Sequence, residues 1–278
     1  MMMQKKTEPV LTTELFPEIF EELLMLLSSL TVEEWHRPTT CAGWSVKDVA
    51  LHLLGGEVGN LSRRRDGVVT SASISSWDEL VIFINEWNQE WVRVTQRVSP
   101  QLLIDLLSLT GRQMCAYFEG LDPFALGDSV SWAGPEPAPV WLDLAREYTE
   151  RWHHQQHIRD AVGRPGLKQP RYFAPVLGAF MHALPYTYRE VNAAQGTCVT
   201  VTLTGESGGR WTVQRAGESW RLFSGAPEQP DAEVVIDQDL AWRLFTRGVS
   251  EGEAREQITV KGSQSLGFKV LGMVSIIA

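Results

Sequence analysis

The chain has 278 residues, more than the ~100–200 usual for one domain, and 44% of them are hydrophobic, so two globular domains with apolar cores are expected. Its 25 basic and 34 acidic residues give a net charge of −9, which argues against sequence-independent binding to DNA or RNA, since that requires clustered positive charge. The most apolar stretch, residues 172–186, is shorter than the ~20 residues of a membrane-spanning helix, and the amino terminus lacks the apolar core of a signal peptide.

The first 165 residues carry the apolar periodicity and the capping residues of successive helices. A cap at Thr12 or Thr13 begins the first predicted helix, which ends near Leu30. Ser45 and Asp48 have the spacing of a capping box and begin a second helix, which continues to residue 57 or beyond. Further helices are predicted over residues 76–98, 101–119 and 140–162. Between the last two, residues 127–139 are rich in Gly and Pro and predict a loop.

The pattern changes after Pro170, where apolar and polar residues begin to alternate. This alternation predicts strands over residues 199–203, 211–214, 220–223, 232–236 and 258–260. Helices are predicted over residues 174–191, 237–247 and 263–277. The sequence therefore predicts a two-domain α+β protein, with a helical bundle over residues 1–168 and a small α+β domain over residues 169–278.

Three of the six histidines lie close together in the predicted helix 140–162, near Glu150. Each residue of a helix turns by about 100°, so His154 lies at about +40°, His157 at about −20° and His153 at about −60° relative to Glu150. Glu150, His154 and His157 therefore share one narrow face. Such a polar face is turned either toward solvent or toward a polar cavity inside the bundle, and the sequence alone leaves both alternatives open.

His52 is the candidate for a third ligand, because it lies in the middle of the second predicted helix and is flanked by leucines. Metal sites in helical bundles are built from inward-facing carboxylates and histidines, and three such ligands leave a coordination position open. Two alternatives stay open at this point. His52 could be a core residue that hydrogen-bonds to the protein, and His153 and His157 could bind a metal without Glu150.

Residues 41–53, CAGWSVKDVALHL, resemble the C-x-G-W-[ST]-V-[RK]-D-V-x-x-H-[LI] segment of the mycothiol-dependent maleylpyruvate isomerase family. That family belongs to the DinB-like metal-binding four-helix bundles. Residues 150–154 resemble the E-x-x-x-H helix of the family, and the segments 232–236, 240–244 and 270–274 resemble its sterol-carrier-like carboxyl-terminal domain. The resemblance extends over almost the whole chain, and its first motif is the most specific part.

This resemblance implies a DinB-like four-helix bundle followed by a small sterol-carrier-like α/β domain. It also implies a divalent metal, zinc being the first choice, held by His52, Glu150 and His154. The family often has Asp three residues after the second ligand histidine, where this chain has His157. His157 and His153 are therefore expected either to support the ligands or to replace one of them. Two tryptophans are expected to line the pocket, Trp44 and Trp152.

The function implied by the resemblance is isomerisation of a small electrophilic substrate, or thiol transfer to it, with mycothiol or another low-molecular-weight thiol as cofactor. A metal hydrolase that uses metal-bound water and a non-catalytic small-molecule-binding protein are the two competing hypotheses. No catalytic residue is assigned. The three cysteines are few, odd in number and far apart, which favours a reducing cytoplasm, and the resemblance to a mycothiol-dependent family implies a bacterial protein. The expected partners are the substrate and the thiol, without nucleic acid or membrane, for a monomer or a homodimer.

Overall fold

A computed structural model describes residues 5–69 and 76–276. Its contacts divide the chain into two compact units. Thr12–Asp122 and Glu147–Leu167 form a helical unit, and the remaining described residues form a mixed unit built around a sheet. The predicted α+β class is confirmed. The predicted domain division at residue 168 stays a prediction, which limited proteolysis between Gly163 and Pro170 would test.

Within the described residues, six helices contribute to the helical unit, and the predicted helices correspond to five of them. The helices are α1 (Phe16–Ser28), α2 (Val32–Trp35), α3 (Val46–Asn60), α4 (Trp77–Thr95), α5 (Pro100–Glu119) and α6 (Val140–Val162), the last of which belongs to this unit from Glu147 onward. A 3₁₀ turn over Thr13–Leu15 precedes α1, and a π-helical turn over Leu61–Arg65 extends α3. The short helix α2 was not predicted.

Serine caps are present at the starts of three helices, whereas the predicted cap at Thr12 or Thr13 is wrong, because α1 has Leu15 at its N-cap position and no side-chain cap. Ser45 accepts a hydrogen bond from the N–H of Asp48, whose carboxylate in turn accepts from the N–H of Ser45. The hydroxyls of Ser76 and Ser99 accept the corresponding bonds at the starts of α4 and α5. These caps satisfy backbone donors that would otherwise be unpaired, so each helix begins where a polar side chain allows it.

Helix α3 is held closely against its neighbours, because it lies in the centre of the apolar core of the helical unit. Val46, Val49 and Leu51 are fully buried. The indole N–H of Trp91 in α4 donates to the carbonyl of Leu51 at 2.8 Å. Gly55 allows this approach, since a Cβ there would lie 2.7 Å from the Trp91 ring.

Two adjacent glycines of α3 are therefore expected to respond in opposite ways to alanine. Gly55→Ala is expected to destabilise the protein by about 1–3 kcal/mol, because its Cβ would press on an indole fixed by a hydrogen bond. Gly56→Ala is expected to stabilise it by about 0.5–1 kcal/mol, because nothing lies within 4 Å of that Cβ position and alanine is the better helix former. Urea denaturation of both variants measures the difference. Equal effects would contradict the close contact between α3 and α4.

The mixed unit contains a six-stranded sheet. Its strands are β1 (Lys5–Lys6), β4 (Cys198–Thr204), β5 (Gly209–Ala216), β6 (Ser219–Ser224), β7 (Ala232–Asp237) and β8 (Thr259–Gly262). Their order across the sheet is β1-β6-β5-β4-β7-β8, with β4 and β7 parallel and every other neighbouring pair antiparallel. The helices of the unit are α7 (Pro170–Met181), α8 (Leu184–Thr187), α9 (Gln238–Phe245), α10 (Glu251–Arg255) and α11 (Gln264–Phe268). The short elements β1 and α10 were not predicted.

Three predicted segments differ from the structure. The predicted loop 127–139 contains most of a two-stranded ribbon, β2 (Leu126–Ser129) paired with β3 (Pro137–Pro139). The predicted helix 174–191 is two helices, because Pro185 has no N–H to continue the hydrogen bonds of α7. The predicted helix 263–277 ends at Phe268 and is followed by a 3₁₀ turn over Lys269–Gly272, after which Met273 is extended. Ile277, the last residue of that prediction, lies outside the described residues.

In the parts of the chain that the structure describes, no helix combines the length and the apolar character required to cross a bilayer.

Candidate metal centre

The turn that precedes α3 is shaped by the residues of the Cys-Ala-Gly-Trp motif. The N–H of Trp44 donates to the carbonyl of Cys41 at 2.9 Å. Gly43 has φ of +79°, a left-handed conformation that glycine adopts without steric cost. The turn and the cap that follows it fix the start of α3, and so place His52 in the second turn of that helix. The Cys-Ala-Gly-Trp motif therefore has a structural role, since it fixes the start of the helix that carries His52.

Helix α6 brings Glu150, His154 and His157 to one face, as the helical spacing predicts. His154 and His157 are each 9% exposed, and the neighbouring His153 is 2% exposed. The polar face is therefore turned into the helical unit, and the alternative of a solvated face is wrong. Glu150 is more accessible, with about a third of its side chain exposed (34%).

The side chains of His52, Glu150 and His154 meet at one carboxylate oxygen. Oε1 of Glu150 lies 3.1 Å from Nε2 of His52 in α3 and 3.1 Å from Nε2 of His154 one turn further along α6. The two imidazole rings are in edge contact, with centroids 4.5 Å apart. Both histidine side chains are 11% exposed, so the group lies largely below the surface. The structure thus brings together the three residues that the sequence analysis selected as ligands.

The electrostatics of this group favour an ionised carboxylate beside a neutral imidazole. Burial raises the pKa of Glu150, but the neighbouring His154 and the hydrogen bonds from both imidazoles hold that pKa well below its usual range. Burial and the nearby His153 lower the pKa of His154 to about 3, against the opposing effect of Glu150. A metal is bound by an ionised carboxylate and by a neutral imidazole, and these are the forms that Glu150 and His154 have at neutral pH.

Two further side chains surround the group. The ring of Trp44 packs against His52, with centroids 5.1 Å apart, and its indole N–H donates to Oε1 of Gln89 at 2.9 Å. Nδ1 of His153 donates to the carbonyl of Thr149 at 2.9 Å, which fixes the proton on that nitrogen. The ring of Trp44 therefore covers the His52 ring on one side and restrains its orientation.

The donor set and its spacing fit a divalent metal ion. The ligand atoms of His52, Glu150 and His154 lie within 4.8 Å of one another. Two nitrogen or oxygen ligands of one tetrahedral zinc ion are roughly 3.3 Å apart, which is close to the 3.1 Å separations seen between Glu150 and each histidine. Two imidazoles and one carboxylate are also ligands that zinc and related ions accept. The assignment of these residues as metal ligands stays a prediction.

Cys41 is the residue near this centre for which the sequence analysis assigned no role. Its Sγ lies 3.0 Å from Nδ1 of His157. Together with His154, these two residues form a second group whose ligand atoms are within 4.8 Å of one another. Burial raises the pKa of the Cys41 thiol to about 11, so the sulfur is protonated at neutral pH in this structure. The sequence feature that could have drawn attention to Cys41 is its place as the first residue of the Cys-Ala-Gly-Trp motif.

His153 and Trp152, two further residues that the sequence analysis singled out, are both buried. His153 packs against His154 with ring centroids 4.1 Å apart, and its predicted role as a supporting or substitute ligand stays a prediction. Trp152 is fully buried, and its indole N–H donates to the carbonyl of Leu167 at 2.8 Å. That bond fixes the ring within the helical unit. The predicted roles of Trp44 and Trp152 as pocket walls stay predictions.

Comparisons with known proteins identify a family and a similar fold. The family model described as "Mycothiol maleylpyruvate isomerase N-terminal domain" matches residues 16–159. Two solved structures are similar over 90% of this chain and 91% of theirs, each with a TM-score of 0.52. One is a mycothiol-dependent maleylpyruvate isomerase at 14% identity, and the other is a histidine-to-alanine mutant under the same name at 13% identity. No curated protein matches the chain.

Proposed function

The chain belongs to the mycothiol maleylpyruvate isomerase N-terminal domain family, and from this premise we propose that it is a divalent-metal enzyme that uses a low-molecular-weight thiol. Its reaction is isomerisation of a small electrophilic substrate or transfer of the thiol to it. The observation that carries this proposal is the His52–Glu150–His154 group, in which two helices bring two imidazoles and one carboxylate to a single point. We propose zinc as the metal and mycothiol as the first candidate thiol.

The protein side chains would do three things in this reaction. His52, Glu150 and His154 would hold the ion, and three protein ligands leave a position open for a cofactor or a substrate. A divalent ion held there lowers the pKa of a thiol that binds to it, and the thiolate is the nucleophilic form. Trp44 would keep water from one side of the centre, since its ring covers His52. The partly exposed Glu150 marks the side from which small molecules would enter.

The test of this proposal is a spectrum of the cobalt(II)-loaded protein in the presence of thiols. Mycothiol, bacillithiol and glutathione are added in turn to the Cys41→Ser variant, so that any sulfur bound to cobalt comes from the added thiol. We expect a sulfur-to-cobalt charge-transfer band with at least one of them, and no such band in a variant that also carries His52→Ala.

Two results would contradict the proposal. The absence of a band with all three thiols would favour the metal hydrolase that needs no thiol. Failure to retain any ion at the His52–Glu150–His154 group would favour the non-catalytic binding protein. Native mass spectrometry of the same samples reports the stoichiometry of metal and thiol independently of the spectrum.

A further inference from the structure

The second group of potential ligands contains sulfur and is distinct in composition from the first. Cys41 lies in the turn before α3, and His157 lies one turn beyond the Glu150–His154 pair on α6. Their side chains meet at 3.0 Å between Sγ and Nδ1, and a ligand atom of His154 lies within 4.8 Å of each of them. A hydrogen bond between thiol and imidazole accounts for the first distance. That hydrogen bond does not explain why a ligand atom of His154 also lies close to both residues.

His154 provides the second observation. Its Nε2 is engaged by the carboxylate of Glu150 at 3.1 Å. Its Nδ1 is buried and has no hydrogen-bond partner within residues 5–69 and 76–276. A neutral imidazole that donates from Nε2 keeps a lone pair on Nδ1, and an unsatisfied lone pair in a buried position is costly. Nδ1 of His154 is therefore a buried acceptor that lacks a partner, on a residue whose ring lies beside the Cys41–His157 pair.

We propose that Cys41, His154 and His157 form a second metal position, which takes a thiophilic divalent ion such as Zn²⁺ or Cd²⁺ beside the first. One thiolate and two imidazole nitrogens are a ligand set that such ions favour. On binding, the S–H bond of Cys41 is replaced by a sulfur–metal bond and its proton passes to the buffer. His154 provides Nε2 to one ion and Nδ1 to the other, so filling both positions releases its N–H proton as well. No electron is transferred.

This second position does not depend on the proposed thiol chemistry. It would exist in a hydrolase or in a binding protein with the same residues. It also explains why this chain has histidine at position 157, since an imidazole at that point of α6 can reach the sulfur of Cys41. The experiments for the two proposals can fail independently. The test of the second metal position observes the sulfur of Cys41, whereas the test of thiol chemistry observes the sulfur of an added thiol.

The experiment is a titration of the full chain with cobalt(II) alone, without any added thiol. We expect two ions per chain and a sulfur-to-cobalt charge-transfer band. The band should disappear in Cys41→Ser and in His157→Ala, each of which should still bind one ion. It should persist in His52→Ala, because His52 belongs to the first position alone. Cys115→Ser is the matched control, since Cys115 is also half-buried but belongs to neither group, and it should keep the band.

Three results would overturn the inference. They are a titration that ends at one ion per chain without a band, a band that survives Cys41→Ser, and a band that is lost in His52→Ala. The last would mean that Cys41 binds the first ion only. Circular dichroism of each variant establishes that it is folded. If Cys41→Ser does not fold, His157→Ala alone decides, because loss of the band there supports the inference and its retention opposes it.

Discussion

Replacing His52 by alanine is expected to weaken metal binding at the first position by at least ~100-fold, because even the loss of a group that only supports a ligand commonly costs 10–100-fold. His52 is the sole ligand of the His52–Glu150–His154 group that comes from α3. Without it, the remaining two ligands come from one turn of α6 and cannot enclose an ion. Any thiol-dependent activity is expected to disappear with the metal.

The measurement is elemental analysis of metal content after dialysis against a metal buffer, with Cys41→Ser as the common background so that one position is counted. His36→Ala is the matched control. His36 is an exposed histidine at the end of α2 and lies outside both ligand groups, so its variant should keep the metal. Equal metal content in the His52 and His36 variants would place the site elsewhere.

Much of the helical unit could be predicted because its determinants are local. The capping box at Ser45 and the Ser-Pro pair at residues 99–100 specify where α3 and α5 begin, whatever lies around them. The predicted helix 140–162 coincides with α6. Local determinants fail where the fold depends on distant contacts. The ribbon β2–β3 is specified by pairing between two segments that separately resemble a loop, and Val270 and Met273 are fully buried although the α-helix ends before them.

The candidate site could also be predicted only where its geometry is local to one helix. Glu150 and His154 are one turn apart, so their shared face follows from helical geometry alone. His52 was a candidate third ligand because it lies among leucines in α3, and the family resemblance added support for it. Nothing local shows that it meets that face, since His52 and Glu150 are 98 positions apart. The contact between Cys41 and His157 spans 116 positions and involves a cysteine that could equally have packed in the core. A motif identifies such a residue, but only the tertiary structure gives it a partner.

Two carboxylates one turn apart on α6 are expected to have opposite roles. Glu147 is 3% exposed, and its Oε2 accepts hydrogen bonds from Arg151 at 2.6 Å and from Asn60 at 3.1 Å. Glu150, by contrast, is 34% exposed and bonds to neutral His154 and to His52. Glu147 thus compensates a charge inside the helical unit, whereas Glu150 offers its charge to the metal position.

Glu147→Ala is accordingly expected to destabilise the protein by about 3–5 kcal/mol, because it leaves the mostly buried guanidinium of Arg151 without this carboxylate. Glu150→Ala is expected to cost only about 1–2 kcal/mol, the net value of ordinary hydrogen bonds. Urea denaturation in the presence of a chelator measures both, since any bound metal would add its own stabilisation. The metal content of the folded proteins is expected to show the reverse order, with Glu147→Ala retaining the ion and Glu150→Ala losing it. If both variants lose stability equally, or if Glu147→Ala also loses the metal, the charge of Glu147 acts at the metal centre and the two roles are not separate.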